Sequence, residues 1–277
     1  MLRKLTLLAA VVAFFCAADA QSLKTPAASP TTSIKQDFGV SSVELIYSRP
    51  GIKGRKIFGD LVPWGQVWRT GANAATRLKF NDDVMIGGQA LKAGEYAVYT
   101  VPNQNEWEVI INKGSANWGT DYKKEDDIMR VKVKSERVAQ PVETFTMQFE
   151  NIKPNSMDLA MMWENTAVRV PITTDIDSKV MAQIQSAMFK DNRPYFSAAM
   201  YYVDTNRDLN QAVQWFDKAI EQNPKAYWVY YQKANALAKL GKKAEAKAVS
   251  QKSMDLATEQ KNNDYVELNR KLQATLN

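Results

Sequence analysis

Arg49, Arg55 and Arg69 fall within 21 residues of one another, in a stretch that also holds Trp64, Trp68, Asn73 and Thr76 and is punctuated by glycines. An arginine fork can grip a carboxylate or a phosphate through two parallel hydrogen bonds. Glycines let backbones approach closely enough for such polar heads to converge. Arg49, Arg55, Trp68, Arg69, Asn73 and Thr76 are therefore the candidate ligand-binding residues, and the ligand they suit is anionic or carbohydrate-like. The competing reading makes the arginines structural. They would bridge loops by bonding backbone carbonyls and acids such as Asp60, while the tryptophans fill the core.

Two groups of acids invite a different chemistry. Glu106 and Glu108 flank Trp107, so on a strand both carboxylates face one way and the indole the other. Paired carboxylates can serve glycoside hydrolysis, but the same spacing describes the solvated face of an amphipathic strand. Asp121, Glu125, Asp126 and Asp127 crowd a polar stretch, yet Lys123 and Lys124 interrupt them and the spacing fits no calcium loop, so a surface loop is expected and no metal site. No catalytic residue is assigned.

Composition narrows the chemistry further. The chain has no histidine and one cysteine, Cys16, which lies within a leader-like start. Arg3 and Lys4 precede an apolar run from Leu5 to Ala17, and Ala18-Asp19-Ala20 forms a small-x-small site. This is the pattern of a signal peptide cleaved after Ala20. This run of 13 residues, apolar except for Thr6, is shorter than the roughly 20 that a membrane-spanning helix requires. Cleavage leaves a mature chain with neither Cys nor His, which excludes disulfides, thiol nucleophiles, Cys/His zinc sites, His-ligated haem and Ser-His-Asp triads. No cofactor is expected. Loss of Arg3, Lys4 and Asp19 removes two positive charges and one negative, taking the formal charge from +6 to +5. Basic and acidic residues number 18 and 17 over 31–174, and 15 and 12 over 175–277. Nothing is concentrated into the basic face or arm that a nucleic-acid binder needs, so none is expected as a partner.

The elements that must position these residues change character once along the chain. Residues 21–33 are rich in Ser, Thr, Pro and Ala and read as a flexible leader. From 34 to 174 apolar residues alternate, as in Val43, Leu45, Tyr47; Phe145, Met147, Phe149; and Leu159, Met161, Trp163. Turn signals such as Pro50-Gly51, Gly87-Gly88 and Pro102-Asn103 separate the runs. The expectation is an antiparallel β-sandwich of eight to ten strands, jelly-roll-like in form.

Beyond 174 the period is helical, with amphipathic runs at 178–190, 194–203, 208–222, 226–240, 243–259 and 263–275. Within them Gln211-Ala212 is echoed 34 residues later by Glu245-Ala246, and Met200 by Ala234. Residues 175–277 therefore resemble a tetratricopeptide-like domain, through Ala212, Phe216, Ala219 and Pro224 in one unit and Ala234, Leu237, Gly241 and Ala246 in the next. Ser250 and Ser253 stand where the second copy should carry an aromatic residue and an alanine. An aromatic band crosses these helices. Most of it packs between helices, and Tyr201, Tyr227 and Tyr230 are the candidates for a face that takes a peptide or another envelope protein.

The stretch Tyr47–Phe80 carries a second resemblance, through Ser48-Arg49-Pro50, Lys53-Gly54-Arg55, Phe58-Gly59, Trp68-Arg69-Thr70-Gly71-Ala72-Asn73 and Thr76, followed by Gly88 and the hairpin Ala93-Gly94-Glu95-Tyr96 leading to Pro102. With these motifs the region 35–174 resembles the bacterial family catalogued as domain of unknown function 2911. The resemblance implies a Gram-negative host of the Bacteroidetes type and brings no activity with it. The overall expectation is an α+β two-domain, exported, periplasmic or secreted protein. It binds or scaffolds rather than catalyses, and its rival reading is a carboxylate-based enzyme or a carbohydrate- or anion-binding module in the β domain.

Overall fold

The computed structural model describes residues 25–116, 118–190 and 193–276, so the expected signal peptide over 1–20 lies outside the described residues. The chain divides into two compact units, 1–175 and 176–277.

In the first unit nine strands are seen among the described residues: β1 (Thr31–Phe38), β2 (Ser41–Ser48), β3 (Thr76–Phe80), β4 (Val84–Ile86), β5 (Gln89–Leu91), β6 (Gly94–Val101), β7 (Glu106–Asn112), β8 (Asp127–Glu150) and β9 (Ser156–Thr173). They form one open antiparallel sheet in the order β1-β2-β3-β6-β7-β8-β9-β4-β5. Ordered structure includes Thr31, three residues before the start expected at Ile34, because β1 pairs along its whole length with β2.

The alternation seen in the sequence is the reason the sheet has an inside. Val43, Leu45 and Tyr47 of β2, Trp107, Val109 and Ile111 of β7, Phe145 and Met147 of β8, and Met161 and Trp163 of β9 belong to one buried cluster. β2 and β8 stand four places apart in the strand order, yet the Tyr47 hydroxyl donates to the Met147 carbonyl at 3.0 Å and accepts from the Met147 amide at 2.8 Å. The sheet therefore bends until those faces share a core. β8 takes part in both halves: its start pairs with β7, and the remainder pairs with β9 through register shifts between Arg137 and Thr146. Bulges of this kind bend a strand and increase its twist. The reverse face of β6 and β7 buries a smaller cluster of Ala75, Ala97, Tyr99 and Ile110, against which Tyr122 packs.

The second unit holds six helices among the described residues: α1 (Asp177–Ala187), α2 (Tyr195–Asp204), α3 (Leu209–Gln222), α4 (Tyr227–Lys239), α5 (Lys243–Glu259) and α6 (Asn263–Thr275). Their starts are chemically marked. The Asp208 side chain accepts from the amides of Asn210 and Gln211 at the head of α3, and Asn262 accepts from the amide of Tyr265 at the head of α6. Small residues line the seams, with Ala199, Ala212, Ala219, Ala226 and Ala236 buried alongside Phe216. Ser250 and Ser253 of α5 are fully buried too. Ser250 Oγ donates to Asn269 Oδ1 at 3.0 Å, Asn269 Nδ2 donates to Ser253 Oγ at 2.9 Å, and Ser253 Oγ donates to the Tyr227 carbonyl at 2.7 Å. The two residues that depart from the repeat pattern thus fasten α5 to both α4 and α6. Among the described residues no helix is long and apolar enough to cross a membrane.

Candidate functional site

The segment between β2 and β3 is wound tightly enough to turn side chains toward one another. Trp68 exchanges two backbone hydrogen bonds with Thr100 of β6, at 2.7 and 2.9 Å. Next to it Thr70 and Asn73 adopt positive φ, 55° and 59°. A β-branched residue in that region is a conformational outlier. It is held by burial and by two bonds: the Thr70 hydroxyl meets Thr100 Oγ1 at 3.1 Å, and Thr76 Oγ1 donates to the Thr70 carbonyl at 2.5 Å. Gly71 completes the turn at φ 146°, where a Cβ would sit 2.9 Å from the Ser48 carbonyl oxygen.

This winding opens a cleft of about 450 Å³ lined by Arg55, Gln66, Trp68, Arg69, Asn73 and, from β9, Trp163, together with apolar side chains such as Leu61 and Val67. Four of the six residues singled out in the sequence therefore meet here. The other two do not line it. Arg49 lies across β8, with Nε donating to the Phe145 carbonyl at 3.3 Å and Nη2 to Thr146 Oγ1 at 2.9 Å. Thr76 is buried beneath the turn.

The three arginines consequently have three different occupations. Arg49 bridges two strands. Arg55 is exposed, and its Nε and Nη2 donate to the carbonyls of Ile52 and Gly51 at 2.9 and 2.6 Å, which fixes its fork at the cleft mouth. Arg69 does neither: its Nε is buried and has no hydrogen-bond partner among the described residues. Its aliphatic stem is held down by the following loop, because a Cβ on Gly119 would come within 2.2 Å of Arg69 Cδ and 2.5 Å of the Asn73 carbonyl oxygen. None of the three pairs with Asp60 or any other acid among the described residues.

The aromatic floor is built from distant parts of the chain. Trp68 stacks on Trp163 with centroids 5.7 Å apart and planes 16° from parallel, and meets Phe145 and Trp107 edge-on. The Trp68 indole N–H is used internally, donating to the Gly71 carbonyl at 3.2 Å. Trp64 lies outside this cleft and stacks on Phe58. Trp163 was visible in the sequence only as one member of an alternating strand, which carries no sign of a site. Gln66 lies within the Tyr47–Phe80 stretch, between the motifs, and has no charge to draw notice.

Of the acids singled out in the sequence, Glu106, Glu108 and Asp127 are engaged within the fold. Glu106 pairs with Lys132 at 3.3 Å and Glu108 with Arg130 at 2.5 Å. Arg130 also donates to Asp127 Oδ2 and to the Tyr122 hydroxyl, while Asn112 donates to Asp127 Oδ1 at 2.9 Å. Burial and the bond to Asp127 push the Tyr122 phenol up to about 12, and Arg130 pulls the other way. This network escaped sequence reading because its members come from a strand end, a loop and a second strand with no shared spacing. In the helical unit the three candidate tyrosines each have an internal partner. Tyr201 donates to Asp177, Tyr230 to the Pro224 carbonyl, and Tyr227 accepts from Asn262 while packing edge-on against Tyr265.

A family model described as a protein of unknown function (DUF2911) matches residues 29–172, which take in the sheet and the cleft. Tetratricopeptide-repeat models match residues 193–225, spanning α2 and α3, and 215–248, running from α3 through α4 into α5. No curated protein and no solved structure matches the chain.

Proposed function

The chain belongs to the family described as a protein of unknown function (DUF2911), whose model covers 144 of its 277 residues (29 through 172), and we propose that it is an exported binding or scaffolding protein that docks a protein partner through its helical repeats. The observation that carries this reading is the pair of overlapping repeat matches that together span 193–248, since stacked repeat helices of this kind form surfaces that hold other proteins. The leader-like start supports export to the periplasm or beyond. The shared core of the bent sheet supports a sandwich-like reading of the first unit, in which the strands are a rigid frame and the loop between β2 and β3 carries the binding residues.

The helical unit offers an open groove lined by Tyr195, Gln214, Trp215, Lys218 and Glu221 of α2 and α3. In the native host, the mature chain should begin at Gln21 and fractionate with the envelope. Cross-linking there should join a partner to the wild type and not to a Gln214→Glu, Lys218→Glu double variant that turns a groove of balanced charge acidic. Full-length chain in the cytoplasm would refute export, and a partner retained equally by both forms would refute docking at this groove.

A further inference from the structure

We infer that the cleft beside Arg69 binds a small organic anion, a carboxylate carried on a flat apolar body. This stands apart from partner docking by the repeats.

Charge is the first ground. Arg55 and Arg69 both line the cleft, and its lining contains no aspartate or glutamate. Positive charge that is left unanswered in a partly desolvated pocket raises the local concentration of anions and strengthens their hold. The second ground is the state of Arg69. Arg69 lines the cleft yet pairs with no acid among the described residues, and its buried Nε has no acceptor, which costs free energy comparable to a lost hydrogen bond, so nothing within the fold neutralises this guanidinium. Arg49, some 20 residues earlier, shows how this chain answers an arginine when the role is structural: it supplies a carbonyl and a hydroxyl from β8. At Arg69 it supplies Gly119, whose missing side chain lets the loop press on the stem and offers the guanidinium no acceptor.

The lining decides between organic and inorganic anions. Trp68 uses its N–H on Gly71, so it offers the ligand a ring and not a donor. Leu61 and Val67 are exposed apolar side chains at the same cleft, 46% and 39% accessible, and would gain from covering. The amides of Gln66 and Asn73 line the cleft as well, although Asn73 Nδ2 already donates to Ser29 and Ser48. A volume of about 450 Å³ is in the range of small-molecule sites, roughly 300–1,000 Å³. A hydrated phosphate would satisfy the arginines and leave the apolar wall exposed, whereas a carboxylate on a ring satisfies both.

The test is calorimetric titration of the full chain at low salt with phenylacetate, phenylacetamide and inorganic phosphate. Phenylacetate should bind saturably, the isosteric neutral amide at least about tenfold more weakly, and phosphate more weakly than phenylacetate. Arg69→Gln should reduce phenylacetate affinity at least about tenfold. If that variant folds poorly, Gln66→Glu serves in its place: it sits on an exposed residue, leaves the buried frame untouched and offers the arginines an internal carboxylate, so it too should suppress binding. Absence of saturable phenylacetate binding up to about 10 mM, equal binding of the amide, tighter binding of phosphate, or unchanged affinity in Gln66→Glu would each overturn the inference.

Discussion

Buried polar groups in the first unit are Ser48, Thr70, Thr76, Thr100 and Asn112, placed at strand ends and turns, whereas in the second unit they are Ser250, Ser253 and Asn269, placed in mid-helix. The helical set answers itself, donor to acceptor, across three helices. Four of the β-unit set, Ser48, Thr70, Thr76 and Thr100, instead prop up the loop that holds the cleft, while Asn112 serves the Asp127 network, and the polar atom beside the loop, Arg69 Nε, is left without a partner. Tyr99 and Trp107 also bury an unpartnered atom in this unit without lining the cleft, and in the helical unit Arg207 Nε does so too, but the head of Arg207 pairs with Asp177 whereas Arg69 pairs with no acid among the described residues. A closed polar network rigidifies packing, while the propped loop leaves a cation unanswered within the fold, which is what the inferred anion site would use.

The comparison breaks most visibly at the aromatic floor. Trp163 stacks on Trp68, meets Phe58 edge-on and donates its indole N–H to the Glu143 carbonyl at 3.3 Å. Trp163→Ala should destabilise the β unit by about 3–5 kcal/mol, read from denaturant unfolding followed by tryptophan fluorescence. A loss under about 1 kcal/mol would mean that the floor is not part of the core. The matching experiment in the helical unit is Asn269→Ala, which takes the side-chain partner from two buried serines. A cost of about 1–3 kcal/mol is expected, read from the helical circular dichroism signal. An unchanged helical transition would show that the serines are tolerated, not used.

Smaller but more discriminating is a contrast among arginines within the β unit. Arg49→Ala removes two donors to β8 and should cost about 1–2 kcal/mol. Arg69→Ala removes a donor that nothing accepts, so its cost should stay within about 0.5 kcal/mol. Melting of the two variants side by side decides the matter. Equal losses would place Arg69 in the frame and remove the ground for a ligand there.

These outcomes also measure what the residues alone could say. The alternating runs fell on β2, β8 and β9, and the helical pattern located all six described helices to within a few residues, because alternation and the 3.6-residue repeat are local properties; the short strands β3, β4 and β5 carry too few residues to show a period. The arginine-rich motif pointed to the loop that lines the cleft, since Gly71 and Asn73 announce unusual backbone angles. It could not sort the arginines. Whether Arg49 or Arg69 finds an acceptor depends on β8 and on Gly119, which lie about 96 and 50 residues further along the chain. Trp163 joined the cleft for the same reason, by strand pairing over a long separation. The repeat substitutions at Ser250 and Ser253 were legible as departures, but their purpose required Asn269, a residue outside the repeat pattern.

The mildest test compares one tyrosine from each unit. In both Tyr122 and Tyr265 burial is the leading cause of a raised phenol pKa, but Tyr265 is raised further only by neighbouring tyrosines, whereas Tyr122 bonds the Asp127 carboxylate and reaches about 12. A phenol whose pKa is raised in the fold favours the folded state while it is neutral. That stabilisation is complete below the unfolded value of 10.0 and is lost as the pH rises through about 12. Spectrophotometric titration of the full chain should therefore show a last tyrosine ionising near 12 that disappears in Tyr122→Phe and persists in Tyr265→Phe. The Tyr122 variant should also show a flatter loss of stability across that alkaline window, because the ionisable group responsible for it is gone. If the last step survives in Tyr122→Phe, the Asp127–Tyr122–Arg130 network does not hold its proton in solution. The β unit's polar groups would then be less tightly ordered than the helical seam against which they are compared.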